Sequence, residues 1–287
     1  MANTSLDDAS LLLVRQGFMV KSLHGCFNLL ARKGSLIFLL KVLGDANSVP
    51  QSAAQEMQRI AASIRAVPLL LAEKAGMPLE DTVVYQRYGV LTLTLPGFES
   101  VLGHRRLYLQ SGKSGITVSL RADQLKQRRE AEGYSLADLS RVLHVSRQMV
   151  GQYEADQSSV SLQRAEKLYD LFGPEVFEPI SFEIPEAPLR SCTSEIGQKY
   201  SALGFEAIET KQTLFDLLAK KEQEIIITRV GNAFDKDAQA LSHLLAADNL
   251  LIFERKKPKA ETPMIAKDEF LELETSKELL KLIKECE

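Results

Sequence analysis

Residues 135–154 read SLADLSRVLHVSRQMVGQYE, and the spacing within this stretch sets the reading of the whole chain. Ser135 precedes a run in which Leu136, Leu139 and Leu143 recur at helical spacing, and Ser146 precedes a second run carrying Met149, Val150 and Tyr153. A serine hydroxyl accepts a hydrogen bond from the free N–H groups of a helix's first turn, so both serines are expected to be N-caps. Only His144–Val145 separates the two helices, which predicts a helix-turn-helix unit. The helical pattern begins near Leu120, and a third apolar helix over Leu162–Leu171, with Leu168 and Phe172 turned inward, would complete a bundle.

Such a unit has a chemistry of its own. The second helix opens Ser146-Arg147-Gln148, and Gln152 lies one turn beyond Gln148 on the same face. Arg can bond a guanine edge bidentately and Gln an adenine edge, so Arg147, Gln148 and Gln152 are the candidate base-facing residues. The helix N-terminus at Ser146 offers N–H groups to phosphate, and Lys126, Arg128 and Arg129 form a basic run suited to the DNA backbone. A charged run on a helix is more commonly just a solvated face, so the weight rests on the caps, turn and spacing taken together. Residues 119–172 resemble the Cro/C1 repressor type (XRE) of helix-turn-helix, in the Ser135-to-Ser140 run, the His144-Val145-Ser146 turn and the closing Tyr153-Glu154. Two departures stand out. Leu136 replaces the family's Gln, which removes one expected phosphate contact, and His144 occupies a turn position where the family has Gly and positive φ is expected.

Working outward, GHRRLYLQSGKSGITVS (103–119) reads as a linker or small hairpin, and SFEIPEAPLR (181–190) as an extended connector. The expected pieces are 1–102, a linker or hairpin at 103–118, the helical domain at 119–180, a linker at 181–190, and 191–287. The outer pieces resemble each other. With one inserted residue, Gly17, Phe18, Phe27, Leu29, Leu30, Ala31, Lys33, Ile37 and Val42 match Gly204, Phe205, Phe215, Leu217, Leu218, Ala219, Lys221, Ile225 and Val230. Each piece reads helix, three strands, helix, strand: a mixed α/β layer, with most of the matched residues in its core. The expected architecture is therefore α/β plus all-α, with two small mixed-sheet domains flanking the helical one.

The element order of the outer copies resembles that of restriction-endonuclease-like and junction-resolvase folds. Those enzymes place an acidic residue on one strand and Glu-x-Lys on the next, the carboxylates holding Mg²⁺. Mapped here, copy one has Asn28 and then Leu39-Leu40-Lys41, and copy two has Asp216 and then Ile227-Thr228-Arg229. Leu39 and Ile227 offer nothing to a divalent ion, so both copies are expected to be catalytically dead, with Lys41 and Arg229 surviving as strand-end charges or phosphate-facing cations. Over its whole length the chain resembles an archaeal family of HTH-type transcriptional regulators, through FNLLARKGSLIFLLKVL (27–43), AVPLLLAEKAG (66–76), VVYQRYGVLTLTL (83–95) and LRADQLKQRREAEGYSLADLS (120–140). The resemblance implies a DNA-binding regulator.

The 287 residues suit two or three domains. No apolar run reaches membrane-spanning length, and the opening residues lack a basic segment before an apolar stretch, so no secretory signal is expected. Cys26, Cys192 and Cys286 are far apart and the four histidines isolated, which fits a reducing cytoplasm and predicts no metal site. Nucleotide-loop and serine-elbow motifs are missing, and no cofactor is expected. The tail ETSKELLKLIKECE reads as an amphipathic helix packing on its own domain. The net charge of −3 hides a distribution: residues 103–154 carry 9 basic and 5 acidic groups, against 3 and 7 in 155–190 and 14 and 18 in 191–287. A basic island over the proposed recognition helix permits phosphate contact. The combined expectation is a sequence-specific, non-enzymatic DNA-binding regulator, a homodimer with double-stranded DNA as partner, whose α/β domains dimerise it or sense a partner. The alternatives are a structure-specific nuclease and a protein-interaction scaffold that no longer binds DNA.

Overall fold

The computed structural model describes residues 5–112, 115–155, 158–186, 192–211, 213–231, 236–254, 258 and 262–285. Copy one contributes α1 (Leu6–Arg15), β1 (Met19–Ser22), β2 (Leu29–Lys33), β3 (Leu36–Asp45), α2 (Gln51–Ile64) and β4 (Val67–Ala75). There follow β5 (Met77–Pro78), β6 (Val83–Arg87), β7 (Val90–Leu93), α3 (Leu95–Leu102), β8 (Leu109–Gly112) and β9 (Gly115–Ser119). The helical part holds α4 (Ala122–Ala131), α5 (Leu136–Leu143), α6 (Arg147–Ala155), β10 (Ser159–Ser161) and α7 (Leu162–Phe172). Copy two runs α8 (Glu195–Ala202), β11 (Glu206–Glu209), β12 (Leu217–Lys221), β13 (Glu224–Val230), α9 (Lys236–Leu245) and β14 (Asp248–Phe253). It ends with β15 (Met264–Ala266), α10 (Lys267–Glu272) and α11 (Ser276–Lys284). Helix, three strands, helix, strand is thus present in both copies.

The chain forms two compact units, residues 1–71 with 183–287 and residues 72–182. In the first, β1–β2–β3 is an antiparallel meander with Lys21 opposite Leu30 and Leu30 opposite Leu39. Copy two repeats it through β11–β12–β13, with Ile208 opposite Leu218 and Leu218 opposite Ile227, before β14 and β15 add in parallel. The matched Gly, Phe and Lys of the repeat form one device in each copy. Gly17 and Gly204 turn the chain at φ 81° and 83° after the first helix, where L side chains are disfavoured. Lys33 Nζ then donates to the carbonyl of Gln16 (2.8 Å) and Lys221 Nζ to that of Leu203 (3.0 Å). Each ammonium lies over the matched ring, 5.7 Å from Phe18 and 5.6 Å from Phe205.

Copy two is sealed by α11, whose Leu279 and Ile283 are fully buried among Tyr200, Ile252 and Phe270. Thr275 and Glu278 close its N-terminus as a reciprocal capping box. The connector at 181–190 lies partly, and Cys286 wholly, outside the described residues.

In the second unit β8 and β9 pair antiparallel as a hairpin, Leu109 opposite Val118. The helices pack around Leu125, Leu139, Leu143, Val150, Tyr153, Leu168 and Phe172, all buried. Burying each such side chain contributes about 1.5–3 kcal/mol. Leu136 and Met149, which share the helical spacing, are 37% and 39% exposed. The stretch from Leu120 to Phe172, read as helical, also contains a strand, Ser159-Val160-Ser161, whose Val160 is buried and paired with Val118 of β9.

Candidate nucleic-acid interface

Helix α5 starts where Ser135 accepts from the N–H of Asp138 (3.1 Å) while the Asp138 carboxylate accepts from the N–H of Ser135 (3.0 Å). The Ser135 hydroxyl and backbone hold the Asp138 carboxyl below its ordinary range. The helix ends at His144, which takes the left-handed conformation (φ 54°, ψ 51°) expected from its turn position. The N–H of Val145 then returns to the carbonyl of Ser140 at 3.0 Å. Lys167 of α7, which sequence reasoning missed, donates to the carbonyl of Val142 at 2.8 Å and places a cation at the negative end of α5.

After this turn Ser146 caps α6 by accepting from the N–H of Met149 at 3.1 Å. Ser146, Arg147, Gln148 and Met149 are exposed in succession, and Gln152 is exposed one turn later. Val150 and Tyr153 anchor the opposite face. The structure therefore brings the three candidate base-facing residues onto one free face at the N-terminal end of α6. Met149 adds an apolar side chain there, suited to contact with a thymine methyl group.

The basic run of α4 divides. Lys126 is exposed. Arg128 makes a loose ion pair with Glu175 (3.7 Å). Arg129 is a correction to the backbone-contact expectation: it is 8% exposed and forks onto Glu154, with Nε–Oε1 at 2.6 Å and Nη2–Oε2 at 3.0 Å. Its Nη1 donates to the carbonyl of Tyr134 at 2.8 Å. The hydrogen bonds to Glu154 raise the guanidinium pKa further above its ordinary value. Arg129 thus fastens α4 to the end of α6 and has no free face for a phosphate. Leu125, buried one turn earlier on the same side of α4, was the available signal.

The positions mapped in sequence onto a nuclease site lie in the first unit, where their side chains are buried or bonded within the fold. Leu39 and Ile227 are fully buried. Asn28 bonds both the N–H (2.8 Å) and the carbonyl (2.9 Å) of Val42. Asp216 accepts from the N–H of Val230 (2.7 Å) and from Arg229 (3.3 Å). Lys41 donates to the carbonyl of Gly25 at 2.6 Å, and burial lowers its pKa. A divalent ion needs several free oxygen donors. Copy one has only an amide here, and copy two a single carboxylate already held by an N–H and a guanidinium, so these residues do not fit the metal. Among the described residues no cluster of three or more His, Cys, Asp and Glu is placed to hold one.

Two parts of the chain match known protein families. Residues 2–106 match the PD-(D/E)XK superfamily domain, and residues 125–173 match the helix-turn-helix. A Thermococcus gammatolerans protein named "Putative HTH-type transcriptional regulatory protein" is 26% identical over 303 residues, covering 97% of this chain and 95% of its own. One of the same name from Aeropyrum pernix is 33% identical over 206 residues, 67% of this chain and 61% of its own. A third, from Methanocaldococcus jannaschii, is 26% identical over 283 residues, 91% and 89%. No solved structure matches. Among the described residues no helix is long and apolar enough to cross a membrane.

Proposed function

We propose that this chain, a relative of archaeal proteins named as HTH-type transcriptional regulators over nearly its whole length, is itself a DNA-binding transcriptional regulator. Its α6 is the element that reads the major groove. The carrying observation is the run Ser146-Arg147-Gln148-Met149 with Gln152, exposed on the outer face of a helix whose inner face and far end are fixed by Val150, Tyr153 and the Arg129–Glu154 pair. Arg147, Gln148 and Gln152 bond base edges, and the α6 N-terminus and Lys126 bond phosphate. Arg128 contributes once it leaves Glu175.

The α/β copies serve a structural role and cleave nothing, since Leu39 and Ile227 stand where a carboxylate must hold the ion. The test is a fluorescence-anisotropy titration on fragments selected from random DNA. The Arg147→Ala/Gln148→Ala variant is expected to bind at least tenfold more weakly, since each bidentate base contact contributes about 1–3 kcal/mol. Equal affinity for wild type and variant on every fragment refutes the assignment. Mg²⁺- or Mn²⁺-dependent cleavage by the wild type that is lost in Asp216→Ala refutes the non-enzymatic role.

A further inference from the structure

The two α/β copies meet through contacts that come in exchanged pairs. On the second strand of each copy, Arg32 and Lys220 occupy matched positions. Arg32 Nη1 donates to the carbonyl of Leu244 at 2.8 Å, and Lys220 Nζ to the carbonyl of Ser63 at 2.9 Å. The acceptors match as well. Helices α2 and α9 both stop at a residue with φ 54°, Arg65 and Ala246, and Ser63 and Leu244 each lie two residues before that stop. Aligning the helices on those stops superposes Glu56 on Asp237. Glu56 accepts from the N–H of Lys211, just past β11 (3.0 Å), and Asp237 pairs with Lys21 in β1 (2.7 Å). Helix α9 therefore reaches the first strand of copy one with an acid, α2 reaches the backbone two residues past the first strand of copy two with another, and each second strand reaches the other copy's helix end with a base.

Contacts that recur with the partners exchanged are the signature of an isologous, two-fold interface. Such an interface closes on itself. Once the two copies in one chain have used it, neither offers the surface to a second molecule. The homodimer expected from the α/β domains is thus already built inside the chain. Meanwhile residues 72–182, which carry the helix-turn-helix, are inserted once, between the copies. A two-fold pair of α/β copies is therefore served by a single reading head.

We propose that the protein engages DNA as one chain per site, on an asymmetric target of single half-site size rather than on an inverted repeat. This rests on the regulator reading above. Homodimeric helix-turn-helix proteins read palindromes because protein symmetry places two recognition helices about one DNA turn apart. This chain presents one such helix.

The experiment uses the full chain, weighed free and on DNA by mass photometry, together with binding-site selection from random sequence. A free mass of 31.9 kDa, one chain per selected fragment and a motif without two-fold symmetry are the expected results. Placing a second, inverted copy of the motif one turn away is expected to improve apparent affinity only about twofold, the statistical gain of two independent sites. A linked pair of heads would gain roughly 10²-fold or more. Two chains per fragment, an inverted-repeat motif or the larger gain overturns the inference and leaves the regulator reading standing. A wild type that binds no DNA even at low salt overturns the regulator reading itself, and this inference with it.

Discussion

Removing either partner of the Arg129–Glu154 pair is expected to loosen the helix-turn-helix far more than removing both. The pair is buried on both sides, with 9% and 7% of the side chains exposed. Arg129→Met leaves the Glu154 carboxylate enclosed with its two guanidinium bonds gone. Glu154→Leu leaves Arg129 with only the Tyr134 carbonyl and a 3.2 Å contact to the exposed Glu130. Breaking a buried pair this way costs about 3–5 kcal/mol, whereas a packed apolar replacement of both residues is often neutral. At 1.36 kcal/mol per factor of ten, the single changes should raise local opening of α4 and α6 by about 150- to 5,000-fold. Hydrogen exchange of the α4–α6 amides, followed by mass spectrometry, reads this directly. DNA affinity should fall in parallel, because α6 loses the tie at its C-terminal end. The Arg129→Met/Glu154→Leu double variant should recover most of the protection. Single variants with protection within about threefold of wild type, or a double variant whose loss equals the sum of the singles, would refute the positioning role.

Two further outcomes follow from local geometry. His144 holds φ 54° at an exposed position, where a side chain costs about 1–2 kcal/mol. His144→Gly relieves that strain while loosening the unfolded chain, so a net gain of about 0.5–1 kcal/mol is expected in chemical denaturation, and a loss of stability would contradict it. Asp8, Asp138 and Asp237 have carboxyls held below the ordinary 3.8, the first two by serine hydroxyls in capping boxes and the third by Lys21. The folded state therefore binds fewer protons than the unfolded chain in acid. The stability these groups contribute is intact well above pH 3.8 and is lost as pH falls through their depressed folded values. The denaturation midpoint should hold constant from neutrality to about pH 5 and drop below about pH 4; a midpoint that rises on acidification would contradict this.

The helix-turn-helix was legible in the sequence because its signals are local. Ser135 and Ser146 cap the helices that follow them, and a two-residue turn leaves little freedom in their packing. The repeat was legible because Gly17, Phe18 and Lys33 recur as Gly204, Phe205 and Lys221, and in both copies they build the same lysine-over-ring contact. The expectation that neither copy holds a metal came from Leu39 and Ile227, and the fold buries both side chains. The fate of Arg129 was not, since its partner Glu154 lies 25 residues away and a run of charges on a helix does not say which one turns inward. The closure of the copies on each other was equally hidden. Its contacts span 155 to 216 residues, and no periodicity in either strand or helix announces them.

The basic island read from sequence has to be counted again once its partners are known. Residues 103–154 carry 9 basic groups. If all met phosphate, binding would vary with salt at a log–log slope of about −8. Four of them are engaged within the second unit: Arg121 with Glu178, Arg128 with Glu175, Arg129 with Glu154 and Arg141 with Asp138. Three of these pairs are half-exposed and can be traded for phosphate at little cost, but Arg129 cannot. Lys126 and Arg147 are exposed, and Lys126 lies on the helix that Arg129 ties to α6. With one recognition helix per chain, about two to four phosphates are within reach, which gives a slope of about −2 to −4. Affinity measured across salt by anisotropy should fall in that range, and Lys126→Ala should reduce the slope by about one without changing the preferred sequence. A slope near −8 would mean that the whole island meets DNA and that the ion pairs open on binding. The shallow slope is the stronger expectation, because the acidic groups that neutralise the island are built into the same helical unit and travel with it to the DNA.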